Sequence, residues 1–130
     1  MFKDTPAFSG FSVDDLDKAQ QFYGETLGLA VERNDMGLHL HVAHGIPIFV
    51  YQKDDHQPAT FTILNFPVDD IDAAVKELKD KGVTFEQYDG MTDDNGIARG
   101  LAADKGPDIA WFKDPAGNFL SVLKEDVGAQ

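Results

Sequence analysis

The sequence has 130 residues with 23 acidic and 11 basic side chains, a formal net charge of −12, and 42% hydrophobic residues, which predicts one ordinary core and a single domain over residues 1–130. Zero Cys excludes a disulfide scaffold, a thiolate zinc site and a Cys nucleophile; no apolar run reaches bilayer-spanning length, and Met1-Phe2-Lys3-Asp4-Thr5-Pro6 has no apolar signal-peptide region. So acidic a surface is repelled by phosphate backbones and anionic lipid, which makes nucleic acid and membranes poor partners and leaves the expectation of a soluble, cytoplasmic globular protein.

Taken in chain order, residues 8–13 are aromatic and β-branched and predict a strand. Asp14-Asp15 then supplies a helix N-cap whose charge suits the helix dipole. Leu16, Ala19, Phe22, Tyr23 and Leu27 form one apolar stripe, and Gly28 stands where a left-handed C-cap is needed. Strand patterns follow at residues 29–32, 38–42 and 46–51, the last two joined by a tight loop at Ala43-His44-Gly45. Lys53-Asp54-Asp55-His56-Gln57-Pro58 is a polar linker. The pattern then restarts with a strand at 61–68, a cap at Asp69-Asp70, a stripe of Ile71, Ala74, Val75 and Leu78, and Gly82. Strands are predicted at 83–87, 109–113 and 118–124, with Pro115-Ala116-Gly117 as the second tight loop. Between them runs a long Gly/Asp-rich connection, residues 88–108, of the kind that is functional or disordered.

The two halves repeat each other. Phe11-Ser12-Val13-Asp14-Asp15-Leu16 matches Phe66-Pro67-Val68-Asp69-Asp70-Ile71 at an offset of 55. The chain therefore reads as two β-α-β-β-β modules, at about 5–55 and 59–125, duplicated within one domain.

This arrangement resembles the vicinal oxygen chelate superfamily, the glyoxalase, bleomycin-resistance and extradiol-dioxygenase group. The resemblance is carried by Val13-Asp14-Asp15-Leu16 leading to Phe22-Tyr23-Gly24-Glu25-Thr26-Leu27-Gly28-Leu29, and by Phe112-Lys113-Asp114-Pro115-Ala116-Gly117-Asn118. It implies an α+β fold in which two tandem βαβββ modules form a rolled eight-stranded mixed sheet, a cup with helices on its outer face. It also implies a homodimer. In the family's metalloenzymes, four inward His, Glu or Gln side chains hold a divalent cation. Counting from the motifs puts those positions at Phe8, Phe49, Ile63 and Ser121, which cannot supply the donors, so no metal cofactor is expected.

Strand alternation sorts the faces of that cup. Gly10 and Ser12 follow Phe8 inward, and Asn65 and Pro67 follow Ile63. The three-residue loops set His39 opposite Phe49, His41 opposite Pro47, and Trp111 opposite Ser121. A two-residue loop at His44-Gly45 inverts the first hairpin but buries two imidazoles against a helix. The cup then shows Phe8, Phe49, Tyr51, Ile63 and Trp111, with Ser12, His39, His41, Asn65 and Ser121 as polar handles. An apolar cavity with a few polar groups is the ordinary composition of a small-molecule site, and the same aromatics equally serve as a second core.

Three functions compete. The first is non-catalytic sequestration of an apolar or aromatic natural product, of the antibiotic-resistance type with a bleomycin- or enediyne-like guest. The second is a glyoxalase- or dioxygenase-like enzyme, using His39 or His41 as base or as a nonstandard metal pair. The third is a partner-binding domain with a filled cup. Arg99, in the long connection, reads as a solvated side chain or as one that closes on an acidic group of a ligand.

Overall fold

The computed structural model of the protein describes residues 1–101 and 106–124. They fall into two compact units, Met1–Pro58 and the described residues from Ala59 onward. The first unit runs β1 (Gly10–Val13), α1 (Leu16–Gln21), a π-helical turn (Phe22–Thr26), β2 (Ala30–Asn34), β3 (Gly37–His41) and β4 (Ile48–Gln52). The second runs β5 (Thr62–Val68), α2 (Ile71–Asp80), β6 (Ile97–Arg99), β7 (Asp108–Lys113) and β8 (Phe119–Lys124). The fold is α+β, and the tandem βαβββ order read from the sequence is the order found. Each unit holds one four-stranded mixed sheet, β1-β4-β3-β2 and β5-β8-β7-β6, whose opening strand lies parallel to its last strand.

The helices begin where the carboxylates dictate. Asp15 accepts hydrogen bonds from the N–H groups of Asp17 and Lys18, and Asp70 accepts one from Ala73. Each satisfies donors that a helix start leaves orphaned. α2 ends as its sequence predicts, on a left-handed glycine: Gly82 has φ 93°, its N–H donates to Lys79, and the Val83 N–H donates to Leu78. That pair of bonds is the Schellman closure.

α1 ends earlier than its stripe suggests. After Gln21 the coil widens, and the Leu27 N–H reaches back to the Phe22 carbonyl at 2.9 Å. The widened turn keeps Tyr23 fully buried and edge-on to Phe22 at 5.2 Å. Such π-turns trade helix regularity for the placement of one side chain.

The cores follow from strand alternation. In the first unit Val13, Leu38, Leu40 and Val50 are buried together with Ala19 and Tyr23 of the helical segment. In the second, Ala110, Phe112, Leu120 and Val122 are buried with Ile71 and Val75 of α2. Removing each large side chain of this set from water stabilises the fold by about 1.5–3 kcal/mol.

Three local expectations need correction. The first strand starts at Gly10, not at residue 8, and Phe8 precedes it with 66% of its surface exposed. The ladder stops after the bond from the Phe49 N–H to Ser9, because its next donor falls on Pro47, which has no N–H. In the first hairpin His39 does pair with Phe49, but the left-handed residue is His44 (φ 58°) and the strands stop short of the tight loop. In the second hairpin Gly117 does take the left-handed position (φ 87°) and Trp111 pairs with Ser121.

The third correction concerns residues 83–87. They form no strand; Phe85 makes a single bridge to Phe112, and the Glu86 N–H donates to the Trp111 carbonyl at 2.8 Å. The rest of that edge of β7 is taken by β6, where Ile97 pairs with Ala110 and Ala98 with Ile109. The six-residue β7 is long enough to serve both segments end to end. Part of the 88–108 connection is therefore a strand.

Candidate functional site

In the first unit, Gly10 pairs with Phe49, Ser12 with Tyr51, and Glu32 with His39, which puts all six on one sheet face opposite the core. Phe49 is the hub of that face. Its ring lies 5.4 Å from His39 and 5.8 Å from Tyr51, the latter pair stacked at 22°. Gly10 leaves room for it: a Cβ there would stand 3.1 Å from the Phe49 carbonyl oxygen. Ser12 Oγ and His56 Nδ1 are hydrogen-bonded at 2.7 Å, and His41 Nε2 meets Glu32 Oε1 at 2.8 Å. The face thus brings together Ser12, His39, His41, Phe49 and Tyr51; Phe8 lies outside the strand.

In the second unit a pocket of about 270 Å³ opens beside Trp111. Trp111, Tyr88, Phe61 and Phe119 supply rings, Met91 a thioether, and Thr60 and Thr62 hydroxyls. Among the described residues no charged side chain lines it. Tyr88 and Trp111 stand at 80° with centroids 5.7 Å apart. Lys113 Nζ lies 5.0 Å from the Phe119 centroid and 3.5 Å from Glu86 Oε1.

Of the residues expected here, Trp111 lines the pocket. Ile63 does not: the register slips between Thr62 and Leu64, so Ile63 is the extra residue of a bulge and Thr62 takes the pocket position beside Phe119. Asn65 and Ser121 are cross-strand partners, and the Ser121 hydroxyl donates to Asn65 Oδ1. Phe119 was legible, since it stands two residues from Ser121 and so shares a face with it and with Trp111. Phe61 was legible in the same way, two residues before Ile63 in the strand predicted at 61–68, whereas Tyr88 and Met91 carry no periodic signal.

Two polar clusters hold this geometry. Asp114, 4% exposed, accepts hydrogen bonds from the Ala116 and Asn118 backbone N–H groups and from Asn118 Nδ2. Asn118 Oδ1 in turn accepts from the Ala59 N–H at 3.3 Å. The motif around Pro115 is thus a hairpin lock. Arg99 is 38% exposed and held by carboxylates. It grips Asp72 with two nitrogens at 2.6 and 3.2 Å, reaches Asp93 at 3.1 Å, and lies 3.7 Å from Asp108. Hydrogen bonding to Arg99 holds the Asp72 carboxyl below the usual range and the Arg99 guanidinium above its own. Burial works to raise Asp93, but the Ile97 and Asn95 N–H groups and Arg99 outweigh it and leave Asp93 lowered.

The metal positions implied by the family resemblance offer three hydrocarbons, Phe8, Phe49 and Ile63, and one hydroxyl. That hydroxyl, on Ser121, is fully buried and committed to Asn65. A divalent cation needs nitrogen, carboxylate or carbonyl donors, so this set does not fit one. Among the described residues no three His, Asp or Glu side chains gather into a cation-holding group. No helix among them is long and apolar enough to cross a membrane.

A comparison with curated proteins returns no match. Solved structures do match. A glyoxalase family protein from Enterococcus faecalis is 20% identical over 95% of this chain and 100% of that one, with a TM-score of 0.68. TnmS3, an antibiotic binding protein from Streptomyces sp. CB03234, is 21% identical over 95% and 98%, with a TM-score of 0.65. The fosfomycin resistance protein FosX from Listeria monocytogenes is 15% identical over 94% and 93%, with a TM-score of 0.68. These likenesses concern the fold. The sequence itself matches a family profile over residues 8–122, and the chain belongs to the Glyoxalase/Bleomycin resistance protein/Dioxygenase superfamily.

Proposed function

We propose that this protein is a non-catalytic binder that sequesters an aromatic natural product, holding one ring or substituent of it in the pocket beside Trp111. The observation that carries this reading is a concave site walled by four aromatic side chains and, among the described residues, lined by no charged one. Offset or edge-on contact with such rings contributes about 0.5–1.5 kcal/mol per pair beyond burial. The similarity in fold to an antibiotic binding protein supports the guest class. The homodimer implied by the family resemblance is part of the same reading.

Trp111 is the single tryptophan, so its fluorescence reports the site without labelling. Titration with bleomycin and with an enediyne antibiotic is expected to give saturable quenching by at least one of them, with the compound recovered unchanged. Calorimetry on Trp111→Ala should show affinity reduced about three- to tenfold, the loss of one stacking contact. Unaltered affinity in that variant, or conversion of the compound, refutes the proposal.

A further inference from the structure

We propose that the pocket of the second unit recognises a methylated ammonium group, so that its ligand is a small organic cation. The inference rests on the binding role proposed for the same pocket and names its ligand class. At about 270 Å³ the cavity lies below the roughly 300–1,000 Å³ that engulfs a drug-sized ligand, so it admits a single substituent.

The lining decides which substituent. Tyr88 and Trp111 present planes at 80°, two walls of a corner, and Phe61 and Phe119 add further ring surface. Ring faces attract cations through their quadrupole, and quaternary ammonium ligands are recognised by such groupings. A primary ammonium enters with three N–H donors and would need all three hydroxyls of the described lining, those of Thr60, Thr62 and Tyr88, to converge on it. A methylated nitrogen brings no N–H and needs none.

One ring already holds a cation within the chain, since Lys113 Nζ stands 5.0 Å from the Phe119 centroid. A net charge of −12 draws cations toward the protein at long range. Anionic guests are disfavoured by the same field.

The test compares choline with 3,3-dimethylbutan-1-ol, its neutral isostere, on the full chain. The readout is the indole N–H resonance of the single tryptophan in ¹⁵N-labelled protein at fixed ionic strength. Choline is expected to shift that resonance saturably with a Kd at least about fivefold below that of the alcohol. Lys113→Met removes the resident cation and leaves Glu86 uncompensated, so it should tighten choline binding further. Equal or tighter binding of the alcohol, or no response to choline, overturns the cation inference. If the aromatic antibiotics still quench Trp111, the binding role of the pocket stands without it. If they also leave Trp111 unmoved, both fall.

Discussion

Asp114→Ala tests whether the hairpin lock sets the pocket. Truncation removes the acceptor for the Ala116 and Asn118 backbone N–H groups and for Asn118 Nδ2. Ala116 is half-buried and its amide can rehydrate. Asn118 is 2% exposed, so the bonds its two donors make to Asp114 are lost inside the protein. Each buried donor left unpaired costs about 1–3 kcal/mol. Release of a carboxylate from a desolvated position offsets part of that. The net expectation is a loss of about 3 kcal/mol, a large fraction of the roughly 5–15 kcal/mol by which a domain is stable. Asp114→Asn keeps one oxygen for the backbone donors but turns an NH₂ toward Asn118 Nδ2, so about 1–2 kcal/mol is expected. Urea denaturation measures both. With a slope of about 1.5 kcal/mol/M, the alanine variant should unfold about 2 M earlier with the slope unchanged. Ala and Asn variants that both stay within about 0.5 kcal/mol of the parent refute the lock. The pocket gives a second readout, because the hairpin fixes Trp111 opposite Ser121 and Lys113 opposite Phe119.

Arg99→Ala should cost about 1 kcal/mol near neutral pH, since its carboxylate partners are partly exposed and solvent screens them. Asp72 and Asp93 are both held below their ordinary values, so their contribution is present above about pH 4 and is lost as pH falls through the lowered values. The stability difference between parent and variant should thus be flat from about pH 5 to 8 and shrink below about 4; a difference that grows on acidification contradicts the assignment. Ser121→Ala leaves Asn65 Oδ1 without its donor, but Asn65 is exposed and can turn to water, so about 1 kcal/mol is expected in the same denaturation assay. A loss above about 3 kcal/mol there would mean that the hydroxyl anchors more than this one bond.

The sequence made some parts of this molecule readable because they are set by local rules. Asp15 and Asp70 announce helices since a carboxylate before an apolar stripe has one good use. The hairpin arithmetic placed His39 opposite Phe49 and Trp111 opposite Ser121 because antiparallel register follows from the turn. The pocket was half readable for the same reason. Trp111 stands on a strand whose phase can be counted, and Phe119 follows by alternation, whereas the bulge at Ile63 shifts the phase and hands the position to Thr62. Tyr88 and Met91 obey no period. They reach the pocket through a turn in which the Met91 and Thr92 N–H groups both donate to the Tyr88 carbonyl. The ion pairs of Arg99 were not legible, because its partners, Asp72 on α2 and Asp93 and Asp108 to either side of it, become neighbours only after the chain folds.

The division of labour around β7 has an evolutionary consequence. Trp111 and Phe119 belong to the ladder, each next to a core residue of its own strand, so exchanging them touches paired strands. Tyr88 and Met91 belong to a turn that carries no ladder and little burial, so exchanging them leaves the sheet intact. Selection can therefore reshape the lining of this pocket by editing one short stretch of chain, at almost no risk to folding.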